Sequence, residues 1–304
     1  MGLLYPTVGI TAKGDIGGHE HSLRRIADIL QASGSRVMID ANHCRASALK
    51  KWKRCTEMSD LDLLIVLGGD GSILRSVREM DGLGIPILGI NRGTIGFLAE
   101  LMLDEVEGML EKFLHGHGHI EQRSLLQISA LRGKNVLWKG TVLNEAVISQ
   151  GAISRLIDLK TVVNGDPLTT FHADGVIIAT PTGSTAYSLA AGGPIVHPEL
   201  KATILTPINP HSFTQKPLVL PAENTIEVTI LTKQSTFADV QISLTLDGQS
   251  YVTLKRNDRV QACIASSTAK FLRRNKETYF TTLRSKLKWG ERLEEHSETD
   301  GTNR

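Results

Sequence analysis

The stretch Leu67-Gly68-Gly69-Asp70-Gly71-Ser72 sets one carboxylate inside a run of glycines, directly after the apolar block Leu63-Leu64-Ile65-Val66-Leu67. Glycines at a strand end let backbone N–H groups come close to phosphate oxygens, and in an open α/β sheet ligands bind outside the carboxyl ends of the strands. A carboxylate there repels phosphate unless it holds a metal, takes a proton or binds a sugar hydroxyl. The plain alternative is that Asp70 caps the helix that follows. A second concentration runs from Asp174-Gly175 to Gly193, where apolar residues 176–179 lead into Thr180, Thr182, Ser184, Thr185, Tyr187 and Ser188. So many small hydroxyls suit a hydroxylated or phosphorylated ligand, or else form a Ser/Thr turn that caps a helix. The third is Asn144-Glu145, set between Leu143 and Ala146-Val147-Ile148. A carboxylate among apolar neighbours needs a partner, either a ribose hydroxyl or a structural salt bridge.

The elements that must position these groups can be read from periodicity. Thr7–Ala12 and Arg36–Asp40 read as strands around a helix in which Leu23, Ile26, Ala27 and Leu30 share one face. Residues 62–67, 71–80 and 85–90 repeat the strand, helix, strand order, which gives βαβ units and a parallel sheet. Beyond about residue 120, β-branched runs broken by turn chemistry take over. Asn164-Gly165 separates 156–163 from 168–172, and Asp247-Gly248 separates 241–246 from 251–255, each a hairpin signal. The expected architecture is α/β plus β: a doubly wound parallel-sheet domain over 1–120, a mostly antiparallel β domain over 121–268, and a C-terminal segment over 269–304. In that last segment 271–289 has helix-like composition and returns to the first domain, and 291–304 reads as a disordered tail.

Several classes are excluded. Lys and Arg number 34 against 32 Asp and Glu, a net charge of +2, which rules out a strongly basic nucleic-acid binder and an acidic disordered chain. No apolar run approaches the roughly 18 residues of a membrane span, and no basic leader precedes an h-region at the N-terminus. Pro6 stands where an N-myristoylation signal needs Ser or Thr. Cys44, Cys55 and Cys263 are scattered and read as free thiols, so the expectation is a soluble cytoplasmic protein without nucleic-acid or membrane partners. A Walker A sequence is absent, and no GxGxxG follows the first strand. The alternating His115, His117 and His119 lack carboxylate or Cys partners and read as a solvated loop between the domains.

Taken together, Gly68–Gly71, the run Gly89-Ile90-Asn91-Arg92-Gly93-Thr94-Ile95-Gly96-Phe97-Leu98, Asn144-Glu145, and Asp174-Gly175 leading into 180–188 resemble the motifs of bacterial-type NAD kinases, in that family's order and over about residues 7–290. The GGDG loop by itself also occurs in lipid kinases and phosphofructokinases; the run 89–98 together with 180–189 is highly specific. The resemblance implies an N-terminal α/β and a C-terminal β domain, and transfer of the ATP γ-phosphoryl group to the adenosine ribose 2′-hydroxyl of NAD, giving NADP. By that likeness Asp70 is the catalytic base, and Gly68, Gly69, Gly71 and Ser72 form the phosphate-binding loop. Asp70, Gly71, Asn144 and Glu145 bind NAD, as do Thr185, Ala186, Tyr187, Ser188, Leu189 and Ala190, with Arg155, His172, Asp174 and Gln249 adding contacts. Asp174 and its neighbours come from a second subunit of a homodimer or homotetramer. No protein metal cage is visible, so Mg²⁺ is expected to arrive with ATP. Two departures from the family pattern are Ser72, where Thr is common, and His172, where Arg is common and would carry a permanent charge. The rivals are a lipid kinase, for which no basic amphipathic helix is present, a non-catalytic dinucleotide sensor, and an oxidoreductase.

Overall fold

A computed structural model describes residues 2–12, 20–44, 51–93, 96–151, 156–231, 241–275 and 278–289. The first elements are β1 (Thr7–Ala12), α1 (Glu20–Ala32), β2 (Arg36–Asp40), β3 (Lys53–Cys55), β4 (Leu63–Leu67), α2 (Asp70–Met80) and β5 (Pro86–Asn91). The five strands are parallel and lie in the order β5-β4-β1-β2-β3. All five residues of β4 are buried because both faces of the sheet are covered. Leu63, Ile65 and Leu67 join Leu23, Ile26 and Leu30 of α1 in one core, while Leu64 and Val66 join Ile73, Leu74 and Val77 of α2 in another. The chain runs outward from β1 to β3 and then returns to the far side of β1 with β4. That reversal opens a crevice at the carboxyl ends of β1 and β4, where the Gly68–Gly71 loop sits.

The chain continues through β6 (Leu101–Met102), α3 (Val106–Leu114), β7 (His119–Arg132), β8 (Asn135–Val142), β9 (Glu145–Gln150), β10 (Ile157–Val163), β11 (Asp166–Ala173), β12 (Gly175–Ala179) and the short α4 (Tyr187–Ala190). Then come β13 (Ala202–Ile208), β14 (Leu218–Pro221), β15 (Ile226–Ile230), β16 (Ile242–Leu246), β17 (Ser250–Leu254), β18 (Arg259–Arg273) and α5 (Thr278–Leu287). Among the described residues β14-β13-β12-β9-β16-β17 form an antiparallel six-stranded sheet. Strands β11, β10, β15 and β18 extend the parallel sheet, with β7 and β8 added on β18. A shared core of Leu126, Ile128, Ile148, Val176, Ile178, Leu244 and Val260 lies between these β layers.

Both hairpin turns form. Asn164 and Gly165 take positive φ (52° and 89°) in a two-residue turn between the paired Val163 and Asp166. Asp247 and Gly248 do the same (49° and 64°), and Leu246 pairs with Ser250, so Gln249 completes a three-residue tip. The C-terminal segment differs from its composition. Residues 271–273 complete β18, and helix begins only at Thr278. Phe271 and Leu272 enter cores on opposite faces of the sheet, and an apolar pair buried on both sides has no strand alternation to betray it. The expected tail at 291–304 lies outside the described residues. Among those described, no helix is long and apolar enough to cross a membrane.

Candidate active site

Asp70 is the first residue of α2, and the N-cap position belongs to Gly69, which makes no side-chain cap bond. Asp70 is therefore not the cap of this helix. Its carboxylate instead reaches the loop after β5: the Phe97 N–H donates to Oδ2 at 2.9 Å and the Leu98 N–H donates to Oδ1 at 3.2 Å. Gly96 makes this approach possible, since a Cβ there would overlap the Asp70 carboxylate. A carboxylate fixed by two amides at a helix N-terminus keeps its remaining lone pairs in a defined direction.

An open cleft of about 380 Å³ beside Asp70 is lined by Gly69, Gly71, Ser72, Arg75, Arg78 and Gln249. Arg75 Nη2 donates to the Ala12 carbonyl at 3.2 Å at the end of β1, while its buried Nε lies 3.9 Å from Glu79 Oε1 and has no hydrogen-bond partner among the described residues. Arg78 Nη1 donates to Gln249 Oε1 at 2.9 Å, and Gln249 Nε2 donates to the Gly71 carbonyl at 2.6 Å. The β16–β17 hairpin tip is thereby tied to the glycine loop. Both ends of the Gln249 amide are engaged in that tie.

The same tip carries Asp247, which is almost fully buried. Its Oδ2 accepts from the Leu143 N–H at 2.9 Å, and its Oδ1 accepts from Asn144 at 2.8 Å and Glu145 at 3.2 Å. Burial pushes the Asp247 carboxyl up, and those three amides and the Arg78 charge pull against it. Glu145 is 6% exposed, and its pKa is pushed up to about 8 by burial and by the Asp247 charge. A backbone hydrogen bond from Tyr187 opposes that rise. Among the described residues the buried Oε2 of Glu145 has no hydrogen-bond partner, so the structural salt bridge is not what holds it. On the other side Thr180 closes the turn: its N–H donates to the Asn144 carbonyl at 2.8 Å and its hydroxyl to the Leu143 carbonyl at 2.5 Å. Gly183 packs so closely on Asn144 that a Cβ would collide with the Asn144 carbonyl.

The hydroxyl-rich segment divides in two. Thr180, Thr182, Ser184 and Ser188 are buried and bonded inside the protein, Ser188 to Thr206 Oγ1 at 2.9 Å and Ser184 to the Val196 carbonyl at 3.1 Å. Tyr187 is exposed and Thr185 half-buried. Ala186, Leu189 and Ala190 belong to this short turn and helix, whose contact with Glu145 is the Tyr187 backbone hydrogen bond. His172 and Asp174 lie elsewhere, at the end of β11. His172 Nδ1 is 2.8 Å from Asp158 Oδ1, its cross-strand neighbour, and Asp174 Oδ2 accepts from Asn209 Nδ2 at 3.0 Å. No hydrogen bond links either residue to Asp70, Glu145 or Gln249 among the described residues. Arg155 lies outside the described residues.

Three contributors carry no recognisable signal in the sequence. Arg75 and Arg78 lie on the helix expected over 71–80 with nothing in their spacing to single them out, and Asp247 reads only as half of an Asp-Gly turn. Asp247 is indeed in the turn, but its carboxylate points inward.

The chain matches two family models, the ATP-NAD kinase N-terminal domain over residues 19–118 and the ATP-NAD kinase C-terminal domain over residues 143–274. It is 44% identical over 237 residues to an NAD kinase of Geobacter metallireducens, covering 78% of this chain and 82% of that protein. To an NAD kinase of Thiobacillus denitrificans it is 36% identical over 296 residues, 96% of this chain and 100% of the other. Among solved structures, an NAD kinase from Archaeoglobus fulgidus in complex with ATP superposes with a TM-score of 0.73 at 27% identity, covering 93% of this chain and 98% of that one. A yeast NADH kinase complexed with NADH shares the fold, with a TM-score of 0.83 at 24% identity over 94% of this chain and 89% of that one.

Proposed function

The chain belongs to the NAD kinase family and transfers the γ-phosphoryl group of ATP to the 2′-hydroxyl of the adenosine ribose of NAD, producing NADP; we propose that it does so at the Asp70 crevice. The observation that carries this reading is the Asp70 carboxylate, held by the Phe97 and Leu98 amides at the mouth of a cleft lined by Gly69, Gly71, Ser72 and two arginines. Asp70 orients the 2′-hydroxyl and accepts its proton as the oxygen attacks the γ-phosphorus, and ADP departs with the electron pair of the broken P–O bond. Gly68, Gly69, Gly71 and Ser72 admit the phosphates to the start of α2, and the Arg75 and Arg78 guanidinium groups that line the cleft suit phosphate oxygens. Positioning and charge stabilisation supply most of the acceleration in such a transfer.

Asn144 and Glu145 take the adenosine part of NAD, with the turn from Thr185 to Ala190 along the same wall. The buried Oε2 of Glu145 is the acceptor offered to a ribose hydroxyl. Mg²⁺ arrives with ATP, as part of the MgATP substrate. Among the described residues no group of three or more His, Cys, Asp or Glu side chains converges on one point. His172, Asp174 and Arg155 would serve a neighbouring subunit's site in a homodimer or homotetramer. His172 and Asp174 bond to Asp158 and Asn209, which are not among the residues lining the Asp70 cleft, and this supports that sharing. The three free cysteines suit a reducing compartment such as the cytoplasm.

The test is direct. Purified protein incubated with NAD, ATP and Mg²⁺ yields NADP, read by an NADP-specific dehydrogenase. Absence of product would overturn the assignment.

A further inference from the structure

We propose that Arg273 is a positioning residue for this reaction, acting on Asp70 through the single peptide group that joins Phe97 to Leu98; the inference rests on transfer taking place at Asp70. The Asp70 carboxylate takes the N–H groups of Phe97 and Leu98. On the opposite side of the same segment, the carbonyls of Phe97, Leu98 and Ala99 all accept from the Arg273 guanidinium. Nη1 donates to Leu98 O at 3.0 Å and to Ala99 O at 3.4 Å, and Nη2 donates to Phe97 O at 3.5 Å. The Phe97 carbonyl and the Leu98 N–H belong to one amide. A cation and an anion therefore face each other across it, and both polarise it in the same sense, which strengthens the N–H as a donor to Asp70.

The guanidinium is itself fixed. Arg273 ends β18 opposite His119 of β7, its side chain is 6% exposed, and its Nε donates to Glu121 Oε2 at 2.7 Å. Glu100 Oε2 lies 3.3 Å from Nη1. Glu121 is shared with Arg123, which is 2.8 Å away and donates onward to Thr182 Oγ1 at 3.3 Å. One buried chain of charges thus runs from the Asp70 cradle to the turn that leads into the Thr185–Ala190 segment. Only a planar fork reaches three consecutive carbonyls and two carboxylates together, so lysine keeps the charge and loses the grip.

The neighbouring residue supplies the control. Arg274 is paired with equal density, to Glu100 Oε1 at 3.1 Å and to both oxygens of Glu105 at 2.9 Å, yet none of its bonds reaches residues 97–99. A role confined to holding β18 in place predicts the same kinetics for both.

Arg273→Lys and Arg274→Lys are compared with wild type for kcat, the two KM values and melting temperature, and Arg273→Lys is repeated in the Asp70→Asn background. Arg273→Lys is expected to lower kcat roughly ten- to hundredfold with both KM values within about threefold, whereas Arg274→Lys keeps kcat within about threefold at a comparable loss of melting temperature. With Asp70 already replaced, Arg273→Lys costs less than about a further twofold, because its effect passes through that carboxylate. Unchanged kcat, a loss expressed mainly in KM, or the full loss in both backgrounds would overturn the proposal. If Asp70→Asn turns over too slowly to measure, the division between kcat and KM decides. If Arg273→Lys does not fold, Glu121→Gln loosens the guanidinium without removing it; a fall in kcat at constant KM then supports the proposal, and an unchanged kcat overturns it. A wild-type protein that makes no NADP would instead overturn the assignment of Asp70.

Discussion

Asp247 accepts hydrogen bonds from three successive backbone N–H groups, the last of them that of Glu145, and so stands as a second buried carboxylate beside one whose Oε2 has no partner among the described residues. Burial, with the Asp247 charge added to it, raises the pKa of Glu145 from 4.5 to about 8. Between those values the folded chain keeps a proton that the unfolded chain has released, so this group makes stability fall as pH rises across the interval. Glu145→Gln removes that slope and is expected to be more stable than wild type near pH 8, by on the order of 1–3 kcal/mol, and closer to it near pH 5.5. Urea unfolding at the two pH values checks this; parallel wild-type and variant slopes would contradict it.

The same protonation bears on substrate. Ribose hydroxyls that donate to Glu145 favour its ionised form, so NAD affinity is expected to rise from pH 6.5 to 8.5 in wild type and to stay level in Glu145→Gln. ATP affinity serves as the internal reference. A matching change for both substrates would place Glu145 outside the NAD pocket.

Asp70→Asn is nearly isosteric, but it offers one oxygen and one NH₂ group where two amides now find two acceptors. Turnover is expected to fall by about 10²–10⁴, and stability by about 1–3 kcal/mol as one donor loses its partner. Steady-state kinetics and thermal melts measure the two losses separately. Turnover within tenfold of wild type would remove Asp70 from the chemical step.

Gly96→Ala places a methyl group against the Asp70 carboxylate, whereas Gly93→Ala meets nothing within 4 Å among the described residues. The first is expected to lose at least roughly tenfold in kcat through displacement of the carboxylate, and the second to stay near wild type. Equal kinetics in the two variants would show that the close approach at Gly96 is immaterial.

Subunit sharing is tested by complementation. If Asp70 and Asp174 of different chains build one site, then mixing Asp70→Asn with Asp174→Ala gives heterodimers with one intact site, and about a quarter of wild-type activity returns on free exchange. Each parent must be folded and nearly inactive, and differently tagged heterodimers must be recovered. Tagged heterodimers without added activity would confine the site to one chain.

Local chemistry makes much of this legible. A buried five-residue strand followed by glycines and a carboxylate is a statement about one short segment, and Asp70 can be read from it. The Asn-Gly and Asp-Gly turns are equally local. What stays hidden depends on distance along the chain: Arg273 grips a carbonyl 175 positions away, and no periodicity reports that. The hydroxyls after β12 show the opposite difficulty. Their abundance suggests a ligand, yet Ser184 and Ser188 direct theirs to Val196 and Thr206, a distinction composition cannot make.

The pairing of β18 with β5 imposes an order of assembly. Lys270 and Phe271 lie beside Pro86 and Ile87, so during synthesis the first half of the sheet emerges with that part of β5 open, and its neighbour arrives about 180 residues later. An open strand edge invites pairing with the wrong chain. Pro86, which has no N–H to offer, blunts the edge at the very position that must wait. A ribosome-bound chain truncated before residue 270 would therefore carry an α/β half whose last seam is not yet closed.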